Sequence, residues 1–239
     1  GMNGEESVPQ SSPLYLNKGW NLIGYLRNAA LGIDTSLAAI EHNLVIAKNN
    51  LGQIYAPSLD INTIGQMKPG QGYQMYLTNS STLVYPANTT SVPLQYLTKR
   101  TAEATIALAA TPVRFNHDLS PTGSNAIAVI EWKGFLDGDE VAVWTGEGKL
   151  IGSAVASGGK AVVTMWGDNT LTETNIEGAK ENEGLQISIW SPKTQRHHEV
   201  SQCDITDLLD NEEKIGQLQY HQDAFWKISI QDAGGIPMV

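Results

Sequence analysis

The chain has 239 residues, a formal net charge of -10 and a pI of about 4.9, and 41% of its residues are hydrophobic. This hydrophobic content is typical of a globular protein, and the negative charge repels phosphate, which disfavours nucleic acid and anionic membranes as partners. No stretch is apolar over the length that a membrane-spanning helix needs, so we expect no membrane insertion.

Cys203 is the only cysteine, so the chain can form neither an internal disulfide nor a thiolate metal cluster. We interpret it as a small, half-buried hydrophobic residue near a strand end rather than as a nucleophile. Gly1-Met2 resembles the remnant of a tag, and no apolar leader segment follows it. If Met2 is the native start, the expected location is the cytoplasm, which argues against the exported location favoured below.

The first strand pattern with a clear alternation covers residues 20–26. It predicts a strand with Trp20, Leu22 and Leu26 on one face. The polar residues before it, 1–12, predict a loose arm.

A short helix and two turns are predicted next. Asp34 is a suitable N-cap for a helix over Thr35–His42, because its carboxylate can accept from the free amides of a first helical turn. Residues 44–55 predict a β-hairpin around an Asn-rich and Gly-containing loop. Pro69 and Gly70 occupy the central positions expected of a type II turn, and a strand follows that turn.

Several spaced motifs carry a resemblance between residues 13–86 and a known module. They are Gly19–Tyr25, Leu44–Lys48 with Tyr55, Ile64-Gly65 and Pro69–Tyr73. Together they resemble a repeated module of secreted proteins in the Bacteroidetes and related bacteria. The resemblance implies a β-rich module of a surface or exported protein, with no assigned chemistry. We therefore predict a small β-rich domain at 13–86 with one short helix.

The second half of the chain is predicted to be a separate, larger domain. Residues 87–103 are rich in Asn, Thr, Ser and Pro and predict a linker. Residues 104–232 contain apolar strand patterns separated by loops of Gly, Asp and Asn, with almost no helical period. The predicted strands include 104–110, 126–132, 150–156, 161–166, 185–190 and 225–231. The fold class is therefore mainly β, with the small domain followed by a larger antiparallel β-sandwich.

This second domain also resembles a module from the same bacterial proteins. The motifs are Pro121–Asn125, Gly138–Val143, Gly148–Gly152, Met165–Asn169, and Glu177-Gly178 with Glu183-Gly184 before Leu185 and Trp190. The module often precedes a tail that directs export through the outer membrane. Residues 230–239 lack the basic end that is usual in such a tail.

Acidic loops supply the first candidate site residues: Asp137, Asp139 and Asp168. A calcium ion needs six to eight converging oxygens, and the ligand spacing of an EF-hand is absent. Asp in a strand-entry turn also has a local role, because its side chain bonds its own backbone. We favour that local role and predict no metal and no cofactor. Paired acids for glycoside hydrolysis need a cleft and a carboxyl separation that the sequence does not reveal.

Two tryptophans supply the remaining candidates. Trp190 shares its strand face with Gln186 and Ser188, opposite Leu185, Ile187 and Ile189, so it is either a sugar-stacking platform or part of an interface. We favour the interface. Trp144 is a second candidate for sugar binding.

Adjacent histidines in a strand point to opposite faces, so His197 and His198 are not expected to bind one metal together. No recognised catalytic motif occurs in the sequence.

The sequence favours a non-catalytic structural or interaction module of an exported or cell-surface bacterial protein. Its expected partner is a protein or a cell-surface polymer. The alternative is a carbohydrate-binding module that uses exposed Trp with Asn or Asp, and a hydrolase comes third. A cleft with converging acids would favour the hydrolase, and an exposed flat aromatic strip would favour sugar binding.

Overall fold

The computed structural model describes residues 8–89, 111–116, 119, 121–169, 171–172, 176–209 and 213–237. The chain divides into two compact units, Gly1–Ile106 and Ala107–Val239. The linker predicted at 87–103 lies mostly outside the described residues, and the strand predicted at 104–110 lies wholly outside them.

The first unit is built from short strands around one short helix. Its five-stranded sheet has the order β2-β8-β4-β5-β6, and β1 pairs with β9 and β3 with β7 in two small ladders, all antiparallel. The strands are β1 (Leu14–Leu16), β2 (Gly19–Gly24), β3 (Leu31–Gly32), β4 (Leu44–Lys48), β5 (Ile54–Ala56), β6 (Ile61–Asn62), β7 (Gln66–Met67), β8 (Gly72–Leu77) and β9 (Ser81–Leu83). The helix α1 covers Ile33–Leu37, and 3-10 turns cover Pro9–Ser11, Glu41–Asn43 and Pro57–Leu59.

The helix is shorter than predicted and begins earlier. Gly32, not Asp34, is the N-cap, because Leu31 and Gly32 are already paired in β3 when the helix starts. Asp34 lies inside the first turn, where its carboxylate accepts from the backbone N–H of Thr35 at 2.7 Å. The rest of the predicted helix is interrupted, and a 3-10 turn follows at Glu41–Asn43.

The core of the first unit corrects the predicted face of β2. Ile23 is buried in the core, whereas Leu22 on the opposite face is 77% exposed. The strand ends at Gly24, so Leu26 does not share a face with Trp20 and Leu22 but packs against the core. The predicted turn geometry is confirmed at Gly70, whose φ of 77° is the left-handed value that a type II turn requires.

The second unit is one large sheet with the order β12-β11-β14-β15-β17-β10-β13, and β16 pairs with β15 beside it. All of its pairs are antiparallel except β10 with β17. The strands are β10 (Asn125–Glu131), β11 (Glu140–Thr145), β12 (Leu150–Val155), β13 (Lys160–Trp166), β14 (Leu185–Ser191), β15 (Arg196–Asp207), β16 (Lys214–Ile215) and β17 (Phe225–Pro237).

This sheet curves until its two end strands, β12 and β13, lie side by side, so that it is nearly closed around its own core. One face of every strand lines that core, and in β17 the predicted inward set of Trp226, Ile228 and Ile230 is confirmed. On the other face of β17, Lys227 forms an ion pair with Glu131 of β10 at 3.1 Å. The predicted mainly β class, with one short helix in the first unit, is confirmed. The larger domain, predicted as an antiparallel sandwich, is a single nearly closed sheet that is antiparallel except for the pair of β10 with β17.

Gly152 allows the two end strands to approach each other. A Cβ atom at this position would clash with the carbonyl oxygen of Thr164 in β13 and would lie 2.9 Å from Cγ1 of Val163. Backbone oxygen cannot move aside as a flexible side chain can, so only glycine fits here without separating the strands.

We therefore predict that Gly152→Ala lowers the free energy of unfolding by about 1–3 kcal/mol, the range for overpacking a close contact. Gly123→Ala is the matched control, because a Cβ atom at Gly123 would meet no atom within 4 Å and its φ is not positive. Urea denaturation of both variants measures the difference. Equal stability of the two variants would show that β12 and β13 do not approach at Gly152.

Candidate functional site

The large sheet carries a second apolar cluster on its outer face. Strand alternation sends Val141 and Val143 of β11 into the core and leaves Ala142 and Trp144 pointing outward. We call the outward group the outer cluster; it comprises Phe115, Ala142, Leu150 and Trp190, with Leu119 and Trp144 partly buried against them. Phe115 and Leu119 do not belong to any strand, so the cluster depends on a segment that lies over the sheet.

The carboxylate of Glu140 holds that segment in place. It accepts hydrogen bonds from three consecutive backbone N–H groups, those of Val113 at 2.9 Å, Arg114 at 2.8 Å and Phe115 at 3.0 Å. Glu140 is only 5% exposed, and a buried carboxylate is stable only when donors surround it. We call residues 111–116 the strap.

Two side chains of the strap complete the contact. Phe115 is buried and packs edge-on against the ring of Trp144, with 5.9 Å between ring centroids. The guanidinium carbon of Arg114 lies 4.3 Å from the ring centroid of Trp190, which is a cation–π distance. The strap therefore covers the aromatic side chains of the outer cluster.

The two predicted tryptophans lie in this cluster. Trp190 points away from the core residues Ile187 and Ile189, as its strand parity predicted, but it is buried and one face of its ring is stacked against Arg114. Trp144 is half-buried, and its indole N–H donates to the hydroxyl of Ser188 at 2.7 Å. The structure thus brings both rings together, in an arrangement that favours packing over sugar stacking.

The predicted acidic residues are engaged locally and are not all brought together. Asp137 accepts from the N–H of Gly158 at 2.8 Å, and Asp139 accepts from that of Leu136 at 2.9 Å. Asp168 accepts from the N–H of Glu177 at 2.9 Å. The seven residues of β13 separate the turn at Gly158 from Asp168, a span of roughly 20 Å. Among the described residues, no three His, Cys, Asp or Glu side chains are placed to hold a metal ion.

The two histidines contact different groups, as strand geometry predicted. His197 lies over Phe115 of the strap with ring centroids 6.3 Å apart, and its Nε2 is 2.7 Å from a carboxylate oxygen of Glu199. His198 packs against Trp132, with 5.3 Å between ring centroids. Both are partly buried rather than exposed, because aromatic rings cover each of them.

A cleft of about 380 Å³ lies beside the turn between β11 and β12, and three glutamates line it. Its charged lining residues are Glu147, Lys149, Lys180, Glu181 and Glu183. Glu183 accepts from the N–H of Lys180 at 2.9 Å, and Glu181 accepts from that of Gln222 at 3.0 Å. Two of its three glutamates therefore hold loop backbone.

Sequence reasoning missed Glu140 and the strap. Two features of the sequence could have indicated this contact. Glu140 is a charged residue in an otherwise apolar strand, and Phe115 is an aromatic residue in a segment with the composition of a loop. Neither feature indicates by itself that the two groups meet, since they are 25 residues apart in the chain.

Comparisons with protein-family models, with curated proteins and with solved structures return no match to this chain. Within the part of the chain that the structure describes, no helix has the length and hydropathy to cross a membrane.

We predict that a chelator of divalent ions leaves the melting temperature unchanged, because Asp137, Asp139 and Asp168 each have a backbone donor as partner. Differential scanning calorimetry with and without the chelator measures this. A melting temperature that falls with the chelator and returns with Ca²⁺ would mean that one of these loops binds an ion.

Cys203 provides a prediction about pH. Burial, and to a smaller extent the neighbouring Asp204 carboxylate, raise the pKa of the Cys203 thiol above its ordinary value. A raised pKa leaves less thiolate at a given pH, so alkylation of the folded chain should reach its half-maximal rate at a higher pH than alkylation of the same chain unfolded in denaturant. Following iodoacetamide labelling by mass spectrometry gives both midpoints. A folded midpoint at or below the unfolded one would favour an activated cysteine.

Proposed function

We propose that this chain is a non-catalytic structural or interaction module of an exported or cell-surface bacterial protein. The observation that carries the proposal is the contact between Glu140 and the strap. A buried acid of the outer face and the aromatic rings beside it hold a segment of the chain against the sheet.

The use of the other candidate groups supports the same proposal. A general acid, a general base or a nucleophile must reach the reacting atoms of a substrate. Asp137, Asp139 and Asp168 instead accept hydrogen bonds from backbone N–H groups of neighbouring turns. Such bonds fix the loops at strand ends, which is a structural role.

The proposed location rests on sequence. The motifs in residues 13–86 and 121–190 resemble modules of secreted proteins in the Bacteroidetes and related bacteria, and those modules have no assigned chemistry. The net charge of -10 disfavours nucleic acid as a partner, and the proposed partner is a protein or a cell-surface polymer.

Trp190 separates this proposal from the sugar-binding alternative. In an interface or packing role, Trp190→Ala should lower the free energy of unfolding by ~3 kcal/mol or more, as truncation of buried aromatic residues does. Val113→Ala is a matched control in the same region, because the Val113 side chain is 85% exposed while its backbone N–H still reaches Glu140. Thermal and urea denaturation of both variants give the comparison.

A glycan panel completes the test. We expect neither the parent nor Trp190→Ala to bind any glycan, while the variant is clearly less stable. If the parent bound a glycan and a fully stable Trp190→Ala variant did not, the ring would be a sugar platform and the proposal would be wrong. Turnover of a glycoside or ester by the parent would favour the hydrolase instead.

A further inference from the structure

The strap contacts the sheet as a bound peptide does, not as an added strand. None of its described residues forms a main-chain to main-chain hydrogen bond with the described strands. It is held by a carboxylate that accepts three N–H groups, by one buried aromatic ring and by one cation over an indole ring. These are separable contacts, which a free segment of the same sequence could also make.

The surface beneath the strap selects for a particular peptide chemistry. Glu140 recognises three consecutive N–H groups and excludes proline from all three positions, because proline has no N–H to donate. The apolar site formed with Ala142, Leu150 and Trp144 accepts an aromatic side chain. The face of Trp190 accepts a cation at the position just before that aromatic residue.

We propose that this surface is a peptide-docking site that exchanges straps between copies of the chain, so that the strap of one copy occupies the site of another. A second copy is the occupant we commit to because every copy carries a segment that fits. Exchange preserves all of the contacts, and the intramolecular strap is favoured only by its effective concentration. The inference rests on the proposed function and specifies its partner, a second copy of this chain.

Two complementary full-length variants test the exchange. In the acceptor, Arg114→Ala with Phe115→Ala removes the cation and the ring from the strap but leaves the docking site intact. In the donor, Glu140→Ala removes the clamp from the docking site but leaves the strap intact. Each variant alone should sediment as a monomer. An equimolar mixture should contain a 1:1 heterodimer of twice the monomer mass, measured by sedimentation velocity.

The matched control is the acceptor mixed with a chain that carries all three substitutions, which has neither a working strap nor a clamp. This mixture should remain monomeric. The donor and acceptor should be mixed at concentrations up to about a millimolar, which is the effective concentration that a short tether provides. If this mixture also remains monomeric, the proposed exchange between copies is wrong.

A peptide-binding experiment on the acceptor tests the docking site even if the donor variant folds poorly. The capped hexapeptide Thr-Pro-Val-Arg-Phe-Asn, which is the sequence of residues 111–116, should raise the melting temperature of the acceptor by several degrees. The parent, whose own strap fills the site, should show no shift, and neither should the acceptor with a peptide in which Ala replaces Phe.

Absence of a shift in the acceptor would overturn the docking site itself. A shift without heterodimer formation would overturn the exchange. Neither result changes the stability and glycan measurements on Trp190→Ala, so a failure of this inference can be distinguished from a failure of the proposed function.

Discussion

The outer face of the large sheet depends on the carboxylate of Glu140. Strands β11 and β14 line the core with one face and also carry apolar side chains on the other, Ala142 and Trp144 in β11 and Trp190 in β14. The other face needs a cover, and the cover is a short segment with no strand pairing of its own among its described residues. One buried acid that binds three N–H groups fixes the position of this segment, and it places Phe115 and Arg114 on the two tryptophans.

Local features of the strands set the closure of the sheet and the position of these groups. Gly152 removes the side chain that would separate the end strands, and β11 shifts its register against β12 between Val143 and Trp144. Irregularities of this kind bend a sheet and increase its twist. In the same region, the register of β11 with β14 sets Glu140 directly opposite Trp190, so the carboxylate and the indole ring that the strap contacts are cross-strand neighbours.

This arrangement also explains why residue types typical of active sites are a weak guide to function here. Carboxylates, aromatic rings and histidines occur in suggestive numbers, yet His197 packs on Phe115, Asp139 holds the turn before β11, and Asp168 holds the loop after β13. Each side chain stabilises a junction that backbone pairing leaves incomplete. This use of the polar groups is what supports the proposal that the chain is an interaction module.

The sequence by itself determined the strands, their alternation and several turns, because these depend on neighbouring residues. The inward set in β17, the opposite faces of His197 and His198, and the turn at Gly70 were all predictable from spacing. Only the tertiary structure decided what covers each face. It left Leu22 exposed, buried Trp190 under Arg114, paired β10 with the distant β17 and joined Glu140 to the strap. Alternation distinguishes the two faces of a strand, but the cover of a face comes from residues far away in the chain, whose approach no local pattern encodes.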